Sequence, residues 1–417
     1  MEPKEQRRPA SPVCLEGPAE FDQTSYRWVI LALVWLLYAC HGIVLRSPSP
    51  LVTPMLRDLD MSYGQMGFVL GSWQMSYMVV AVMAGVILDR WGLRKSLFFG
   101  AVVIGLSATL RYFAQGFGTL LATVALFGVG GPMISIGAPK TISVIFRGKD
   151  RGTAIGIYST GPWIGQMLVL AATNGVVMPL TGYNWRLTFA CYGLFTLGAA
   201  LLWWVFAKGT SQIEGAGGFN ISRLIRRLLS VHNVRIILLA GPLLFAVLHG
   251  FAGWLPKLLE NSGITPARAG VLAALPYLTG IPAVLILPRL IPPALRGRFI
   301  ILLVFVGSAA ILLIATFVLP LPLSLLLYGM AQSSLVPLFI LVLMETPEIG
   351  PEFMGSAGGL FFCISEIGGF LGPFVVGVLV DLTGAFLAGA VFLALMGAAI
   401  LALMLLLKPQ AVSVPQC

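Results

Sequence analysis

The sequence predicts an all-α membrane protein in which twelve transmembrane helices form two six-helix halves. Charged residues make up only 10% of the 417 residues and hydrophobic residues 58%, and the mean hydropathy is +0.93. A soluble globular domain carries roughly 25% charged residues. Twelve apolar runs are each long enough to cross a hydrocarbon core about 30 Å thick. One long polar connection, 208–233, divides these runs six and six.

The predicted spans follow one another mostly through short connections. They cover residues 28–56, 64–88, 96–115, 119–146, 152–178, 185–207, 234–258, 267–288, 299–319, 322–345, 354–380 and 385–407. The regions that follow from them are an N-terminal tail (1–26), an N-terminal half (27–207), a central loop (208–233), a C-terminal half (234–407) and a C-terminal tail (408–417). The first 25 residues lack an apolar segment, so we expect no cleavable signal peptide.

The distribution of basic residues predicts the orientation. With a cytoplasmic N-terminus, the cytoplasmic segments contain 19 of the 26 Lys and Arg residues. The opposite side contains four, which are Arg57, Arg186, Lys257 and Arg268. Such an excess indicates that both tails and the central loop are cytoplasmic, in a plasma or inner membrane. The net charge of +10 is then a topology signal and does not indicate nucleic-acid binding.

The central loop contains a predicted amphipathic helix. Residues 219–230 place aliphatic side chains on one helical face and three arginines on the other. This pattern is typical of a basic helix that lies on the inner leaflet, and a helix that binds a partner protein is the alternative. Asn220 begins an N-glycosylation pattern, but we expect no glycan on a cytoplasmic loop.

The two halves share an internal repeat. Residues 152–182 and 355–384 each begin with small residues, have a glycine-rich middle and end in Leu-Thr-Gly. They correspond to the fifth and eleventh spans. Glycines allow close helix contacts in lipid, and equivalent helices indicate two parallel repeats.

Residues 85–95, GVILDRWGLRK, form the short connection after the second span. This segment resembles the loop between helices 2 and 3 of the major facilitator superfamily, and the resemblance extends over residues 27–407 as a set of features. It implies the major facilitator fold and a gate at the inner surface. In that gate Asp89 pairs with Arg147 or Arg151 and with the backbone at 354–356, which latches the outward-open state. The gating candidates are Asp89, Arg90, Arg94, Lys95, Lys140, Arg147 and Arg151.

Four charged residues stand out at membrane depth, where ionised groups are costly and usually face a cavity. Arg46 is too deep to reach either surface easily, and we predict that its guanidinium binds an anionic substrate. Arg111 could instead extend to the outer headgroups. Lys140 could extend inward or serve the gate. Glu366, at the centre of the eleventh span, is either a proton carrier or the counter-ion of one of these cations.

Aromatic, amide and imidazole side chains near span centres are further cavity candidates. As substrate-binding residues besides Arg46 we predict His41, Tyr77, Tyr158, Gln166, His249, Tyr277, Tyr328 and Gln332. Trp73 and Gln74 are further cavity candidates. Each of these side chains has interhelical packing or hydrogen bonding as its alternative role.

Parts of the first half resemble the cyanate permease and nitroimidazole transporter family. The similar segments are HGIVLRSPSPLVTPML (41–56), TLRYF (109–113) and GVGGPMISIGAPKTISVIF (128–146). The family commonly has Asn shortly before the deep Arg, where this chain has Ile43, Val44 and Leu45. The resemblance implies a small anionic or polar substrate.

Together these features predict a secondary active transporter. We expect it to move a small monocarboxylate-like or cyanate-like anion by alternating access, with proton coupling through Glu366 as an option. The alternatives are an exporter of amphipathic or cationic compounds and a receptor with a transporter fold. No sequence motif indicates an enzyme, a cofactor, a metal site or a nucleotide domain. The expected partners are the solute, protons and lipid, and we expect a monomer.

Overall fold

The structure is a computed structural model that describes residues 26–207, 229–346 and 350–407, without the side chains of Lys149 and 350–356. The described residues form helices and connections, with no strand among them. Twelve helices are long and apolar enough to span a membrane. They are α1 (Tyr26–Asp58), α2 (Tyr63–Trp91), α3 (Leu93–Phe113), α4 (Phe117–Ile145), α5 (Asp150–Leu180), α6 (Trp185–Phe206), α7 (His232–Asn261), α8 (Pro266–Leu290), α9 (Pro293–Thr316), α10 (Leu321–Met344), α11 (Ala357–Thr383) and α12 (Phe386–Leu405).

The twelve predicted spans are confirmed, and two helices contain irregular turns. In α1 the α-helical part ends at Arg46, and Ser49–Leu51 forms a 3₁₀ turn before the helix resumes. Pro48 and Pro50 explain this break because proline lacks the backbone donor that an α-helix needs. In α5, Thr173–Val177 forms a π-turn. The tails and most of the predicted amphipathic segment, including Asn220, lie outside the described residues.

Equivalent helices pack in the same way in the two halves. Gly165 of α5 lies against the backbone of Ala39 in α1. Gly368 and Gly372 of α11 lie against the backbones of Pro242 and Ala246 in α7. Helix pairs α1/α5 and α7/α11 therefore use the same close contact, as the internal repeat predicts.

Substitution of Gly42 tests the importance of this close packing. A Cβ on Gly42 in α1 would overlap the carbonyl oxygen of Pro162 in α5. We expect Gly42→Ala to lower the free energy of unfolding by about 1–3 kcal/mol, because a rigid helix backbone must move. Gly85→Ala is the control, since nothing lies within 4 Å of its added Cβ. The midpoints of thermal unfolding in detergent should separate the two variants, and equal midpoints would contradict the packing argument.

The two halves meet at the end of the helix bundle opposite the start of α1 and the end of α12, and we name this end the distal face. The Asp381 carboxylate of α11 accepts hydrogen bonds from the backbone N–H groups of Tyr63 and Gly64 in α2, at 2.9 and 2.7 Å. Ser49 of α1 donates to the carbonyl of Gly253 in α7 at 2.5 Å. Asn174 of α5 donates to the carbonyl of Pro266 in α8 at 3.3 Å. These contacts close the distal face.

At the opposite end of the bundle, which we name the terminal face, three polar contacts between described residues join helices of the same half. Arg27 of α1 pairs with Asp150 of α5 at 2.7 Å, and Arg94 of α3 donates to the carbonyl of Trp204 in α6 at 2.5 Å. In the second half, Arg296 of α9 pairs with Glu345. The contacts named above hold the halves together at the distal face. The cavity between the halves lies on the terminal side of these contacts.

Loss of the Asp381 contact should favour opening of the distal face. A carboxylate at a helix N-terminus contributes about 1 kcal/mol, which is roughly a five-fold change in population. We therefore expect Asp381→Asn to increase the population with a separated distal face about five-fold. Spin labels at exposed positions 180 and 318, in a background without the native cysteines, would report this distance by electron paramagnetic resonance.

Asp60→Asn is the matched control for Asp381→Asn. Asp60 is an exposed carboxylate at the same face, in the connection between α1 and α2. The Asp60→Asn substitution should leave the distance distribution of the spin labels unchanged. An identical distribution for Asp381→Asn and the unsubstituted protein would show that the carboxylate is not a latch.

Candidate functional site

A cavity of about 620 Å³ lies between the two halves near mid-membrane. Its wall comes from α1, α5, α7, α8, α10 and α11. Seven of the nine predicted substrate-binding residues line it, and these are Arg46, Tyr158, Gln166, His249, Tyr277, Tyr328 and Gln332. The cavity wall contains Arg46 and no Asp or Glu, so its formal charge is positive.

Arg46 is the centre of a hydrogen-bonded group that spans both halves. Its Nε and Nη2 atoms donate to Oε1 of Gln166 in α5 at 3.2 and 3.1 Å. The hydroxyl of Tyr277 in α8 donates to the same oxygen at 3.1 Å. Only 9% of Arg46 is exposed, and no carboxylate of the described chain pairs with it. The arrangement holds a buried guanidinium in place and leaves its charge uncompensated.

The remaining wall combines aromatic faces with unused polar atoms. The ring of Tyr158 stacks on that of Tyr38 at 6.2 Å, and Trp163 meets Tyr277 edge-on at 6.0 Å. The Tyr328 hydroxyl and Gln332 Oε1 are buried without a hydrogen-bond partner in the structure. Buried polar groups are normally satisfied, so these two atoms are suited to a polar ligand.

Two predicted binding residues lie outside the cavity wall. His41 packs between Tyr38 and Phe127, with ring centroids at 5.5 and 4.9 Å, and neither ring nitrogen has a partner in the described chain. The Tyr77 hydroxyl hydrogen-bonds Ser135 of α4 at 2.8 Å. His41 lies on a different face of α1 from Arg46, because a separation of five residues corresponds to a rotation of about 140° around the helix. Neither residue lines the cavity in this structure, and their contact with substrate stays a prediction.

Glu366 lies in a polar cluster that adjoins the cavity at His249. It is 6% exposed, and its Oε2 has no hydrogen-bond partner in the part described. A Cβ on Gly369 would lie 2.9 Å from Glu366 Oε2, 3.2 Å from Gln74 Nε2 and 3.2 Å from His249 Cδ2. These three side chains thus converge on one point. Glu366 forms no ion pair with Arg46, Arg111 or Lys140, so its expected role as their counter-ion is not seen in this structure.

The other two cations of the predicted spans differ in burial and in partners. Arg111 does not extend to the headgroups, since only 1% of it is exposed. Lys140 of α4 forms an ion pair with Asp89 of α2. In this conformation, in which the distal face is closed, Asp89 pairs with neither Arg147 nor Arg151, and both arginines are exposed. The predicted pairing belongs to the outward-open state and stays a prediction. The expected contact of Asp89 with the backbone at 354–356 also stays a prediction.

The remaining gating candidates have separate positions. Arg94 contacts α6, where its Cζ lies 4.8 Å from the centre of a Trp204 ring. Arg90 and Lys95 are exposed at the same face. In residues 26–207, 229–346 and 350–407, no three His, Cys, Asp or Glu side chains are grouped to hold a metal ion.

Sequence reasoning missed Tyr38 and Trp163 as cavity residues. Tyr38 lies eight residues before Arg46, a spacing that places both on one helical stripe. Trp163 follows Pro162 and precedes Gln166 by three residues, which again is one helical face. Helical periodicity about Arg46 and Gln166 could therefore have found both.

Comparison with known proteins agrees with the fold. A sequence model described as the Major Facilitator Superfamily matches residues 34–373. The hexuronate transporter of Bacillus subtilis (strain 168) is 25% identical over 384 residues, which cover 84% of this chain and 87% of that protein. The probable galactarate/D-glucarate transporter GudP of the same strain is 23% identical and covers 93% of each chain.

A solved structure shows the same fold. The crystal structure of a D-xylose–proton symporter superposes with a TM-score of 0.75 at 16% identity, and the match covers 93% of this chain and 98% of that one. None of the relatives reported above is a cyanate permease, and that resemblance stays an expectation. The match over residues 34–373 covers most of the chain. This protein therefore belongs to the major facilitator superfamily.

Proposed function

We propose that this protein transports sugar acids, such as hexuronates and aldonates, across the membrane by alternating access. The family match and the twelve helices support two coarser conclusions. The chain belongs to a family of secondary transporters, and it is a multi-pass membrane protein. The single observation that carries the finer proposal is the cavity itself. It combines one uncompensated guanidinium with aromatic faces and unpartnered polar atoms.

The carboxylate of the substrate binds Arg46. A guanidinium presents a planar fork of donors that matches the two oxygens of a carboxylate. Gln166 and Tyr277 hold this fork from both halves, at 3.1–3.2 Å. A carboxylate on Arg46 would supply the negative charge that the cavity wall lacks.

The sugar part occupies the rest of the cavity. A volume of about 620 Å³ is much larger than cyanate or a short monocarboxylate needs, and it falls in the usual range for ligand pockets. Tyr328 and Gln332 provide partners for hydroxyl groups. Tyr158 and Trp163 offer apolar faces to the ring carbons. A sugar acid therefore replaces the cyanate-like or monocarboxylate anion as the proposed substrate. The names of two relatives, transporters of hexuronate and of galactarate/D-glucarate, agree with this choice.

Proton coupling is assigned to Glu366. A carboxyl group buried without a partner is stable when it carries a proton and costly when it does not. His249 lies beside Glu366 and also lines the cavity, so it connects this group with Arg46. A substrate anion on Arg46 and a proton on Glu366 would together add no net charge to the site.

Counterflow in proteoliposomes tests the proposed substrate class. We expect purified protein to exchange radiolabelled D-galacturonate and not D-galactose, a neutral sugar with the same ring. Unlabelled cyanate or lactate should not compete at similar concentrations. Exchange of galactose, or exchange of cyanate without galacturonate, would overturn the proposal. Efflux of a lipophilic cation without galacturonate exchange would favour the exporter.

A further inference from the structure

We propose that a second anion subsite lies between Arg46 and Arg111, on the distal side of the main cavity. It takes one compact monovalent group, either a second carboxylate of the substrate or a free halide. Arg46 is shared with the carboxylate site described above, so the second-carboxylate source rests on the proposed function. The halide source does not.

Arg111 is the most deeply buried cation in the described chain. It is 1% exposed, and its guanidinium is held by three neighbours. Nη1 donates to Ser47 Oγ and Nη2 to Ser107 Oγ, both at 3.2 Å, and Cζ lies 5.0 Å from the centre of the Phe189 ring. The Nε atom is buried without a partner.

The two serines fix Arg111 without neutralising it. Ser47 donates its own proton to the carbonyl of Val44, and Ser107 donates to that of Thr123. Both hydroxyls therefore accept from the guanidinium as neutral dipoles. Among the ion pairs of the described residues, none includes Arg111 or Arg46. A buried charge without a partner is among the most costly features a fold can contain.

A small cavity joins the two arginines. Arg46, Arg111, Trp73 and His249 line it together with Ser49, Gly253 and apolar residues of α1, α2 and α4. Its volume of about 20 Å³ is enough for one water-sized group. Arg46 and His249 line the main cavity as well, so the small cavity is directly next to the proposed substrate. The lining again contains no carboxylate.

Size and charge define the occupant. Two guanidinium groups around a space for one small group favour a single compact anion over a cation or a neutral solute. A chloride ion fits this description, and so does one end of a six-carbon diacid whose other carboxylate binds Arg46 from the main cavity. A monoacid such as galacturonate supplies only one of the two anionic groups.

Binding measurements on the wild type distinguish the two sources. In the first arm, chloride replaces methanesulfonate at constant ionic strength while the thermal unfolding midpoint is recorded. A free halide predicts a saturable rise in the midpoint. In the second arm, calorimetry without chloride compares D-galactarate with D-galacturonate. A second carboxylate predicts at least ten-fold tighter binding of the diacid.

Variants assign either effect to the subsite. We expect Arg111→Gln to abolish the chloride effect or the diacid preference, and Arg111→Lys to weaken it partly because the planar fork is lost. Arg57→Gln removes an exposed charge near the same face and should change neither. The two binding measurements use the wild type and do not depend on a variant that folds. A wild type that shows neither a saturable chloride effect nor a preference for the diacid overturns the proposal. An effect that persists in folded Arg111→Gln also overturns it.

Failure of the proposed function has a different signature. If the wild type binds neither sugar acid, the substrate class is wrong, and the chloride arm alone decides the subsite. If galacturonate binds and both effects are absent, the substrate class stands and the subsite does not.

Discussion

Replacement of Arg46 with glutamine is expected to weaken D-galacturonate binding about 100-fold, which corresponds to about 2.7 kcal/mol. The substitution removes the cation and leaves a shorter, neutral, polar side chain, so the lost free energy reports mainly the charge-assisted bonds. Arg46→Lys should recover only part of the affinity, since an ammonium group cannot match both carboxylate oxygens while it also bonds Gln166. Equilibrium binding and the KM of counterflow would measure both variants.

Arg57→Gln is the control for the Arg46 variants. Arg57 belongs to the same helix and carries the same charge, but it is exposed at the distal face. The Arg57→Gln variant should bind galacturonate with the affinity of the wild type. A folded Arg46→Gln protein with unchanged affinity would exclude Arg46 as the carboxylate site.

Conversion of Glu366 to glutamine is expected to abolish accumulation driven by a pH gradient and to retain counterflow. Glutamine resembles a protonated carboxyl group in size and polarity, so the variant imitates a carrier that cannot release its proton. Exchange of substrate needs no net proton movement and should stay within about three-fold of the wild type. Uptake into proteoliposomes with an imposed pH gradient, with and without a protonophore, would measure the first effect.

Two outcomes would contradict the role of Glu366. One is gradient-driven accumulation in Glu366→Gln at the wild-type level. The other is equal loss of accumulation and counterflow, which would indicate a structural role in the cluster with Gln74 and His249. Asp60→Asn, an exposed carboxylate variant outside this cluster, should behave as the wild type in both assays.

Much of the fold and the cavity could be predicted because membrane physics restricts the sequence. Apolar runs of sufficient length define the helices, and polar residues inside them are rare enough to be noticed. Arg46, Gln166 and Tyr277 were found in this way, and they form one hydrogen-bonded group. The glycine spacing of the repeat also predicted equivalent packing of α5 and α11.

The remaining details depend on helix rotation and conformation. Tyr38 and Trp163 share helical faces with Arg46 and Gln166, but only the placed neighbouring helices show that these faces enclose a cavity. The pairing of Asp89 with Lys140 requires the relative rotation of α2 and α4, which periodicity does not provide. The contact of Asp381 with α2 exists only where the distal face is closed.

A structure determined with D-galacturonate bound tests the central claim most directly. The account predicts ligand density in the cavity between the two halves, with the carboxylate within hydrogen-bonding distance of Arg46 and the hydroxyl groups toward Tyr328 and Gln332. It also predicts that Arg46 is still held by Gln166 or Tyr277 in the complex. A ligand whose carboxylate lies away from Arg46, or a cavity that stays empty at saturating galacturonate, would contradict it.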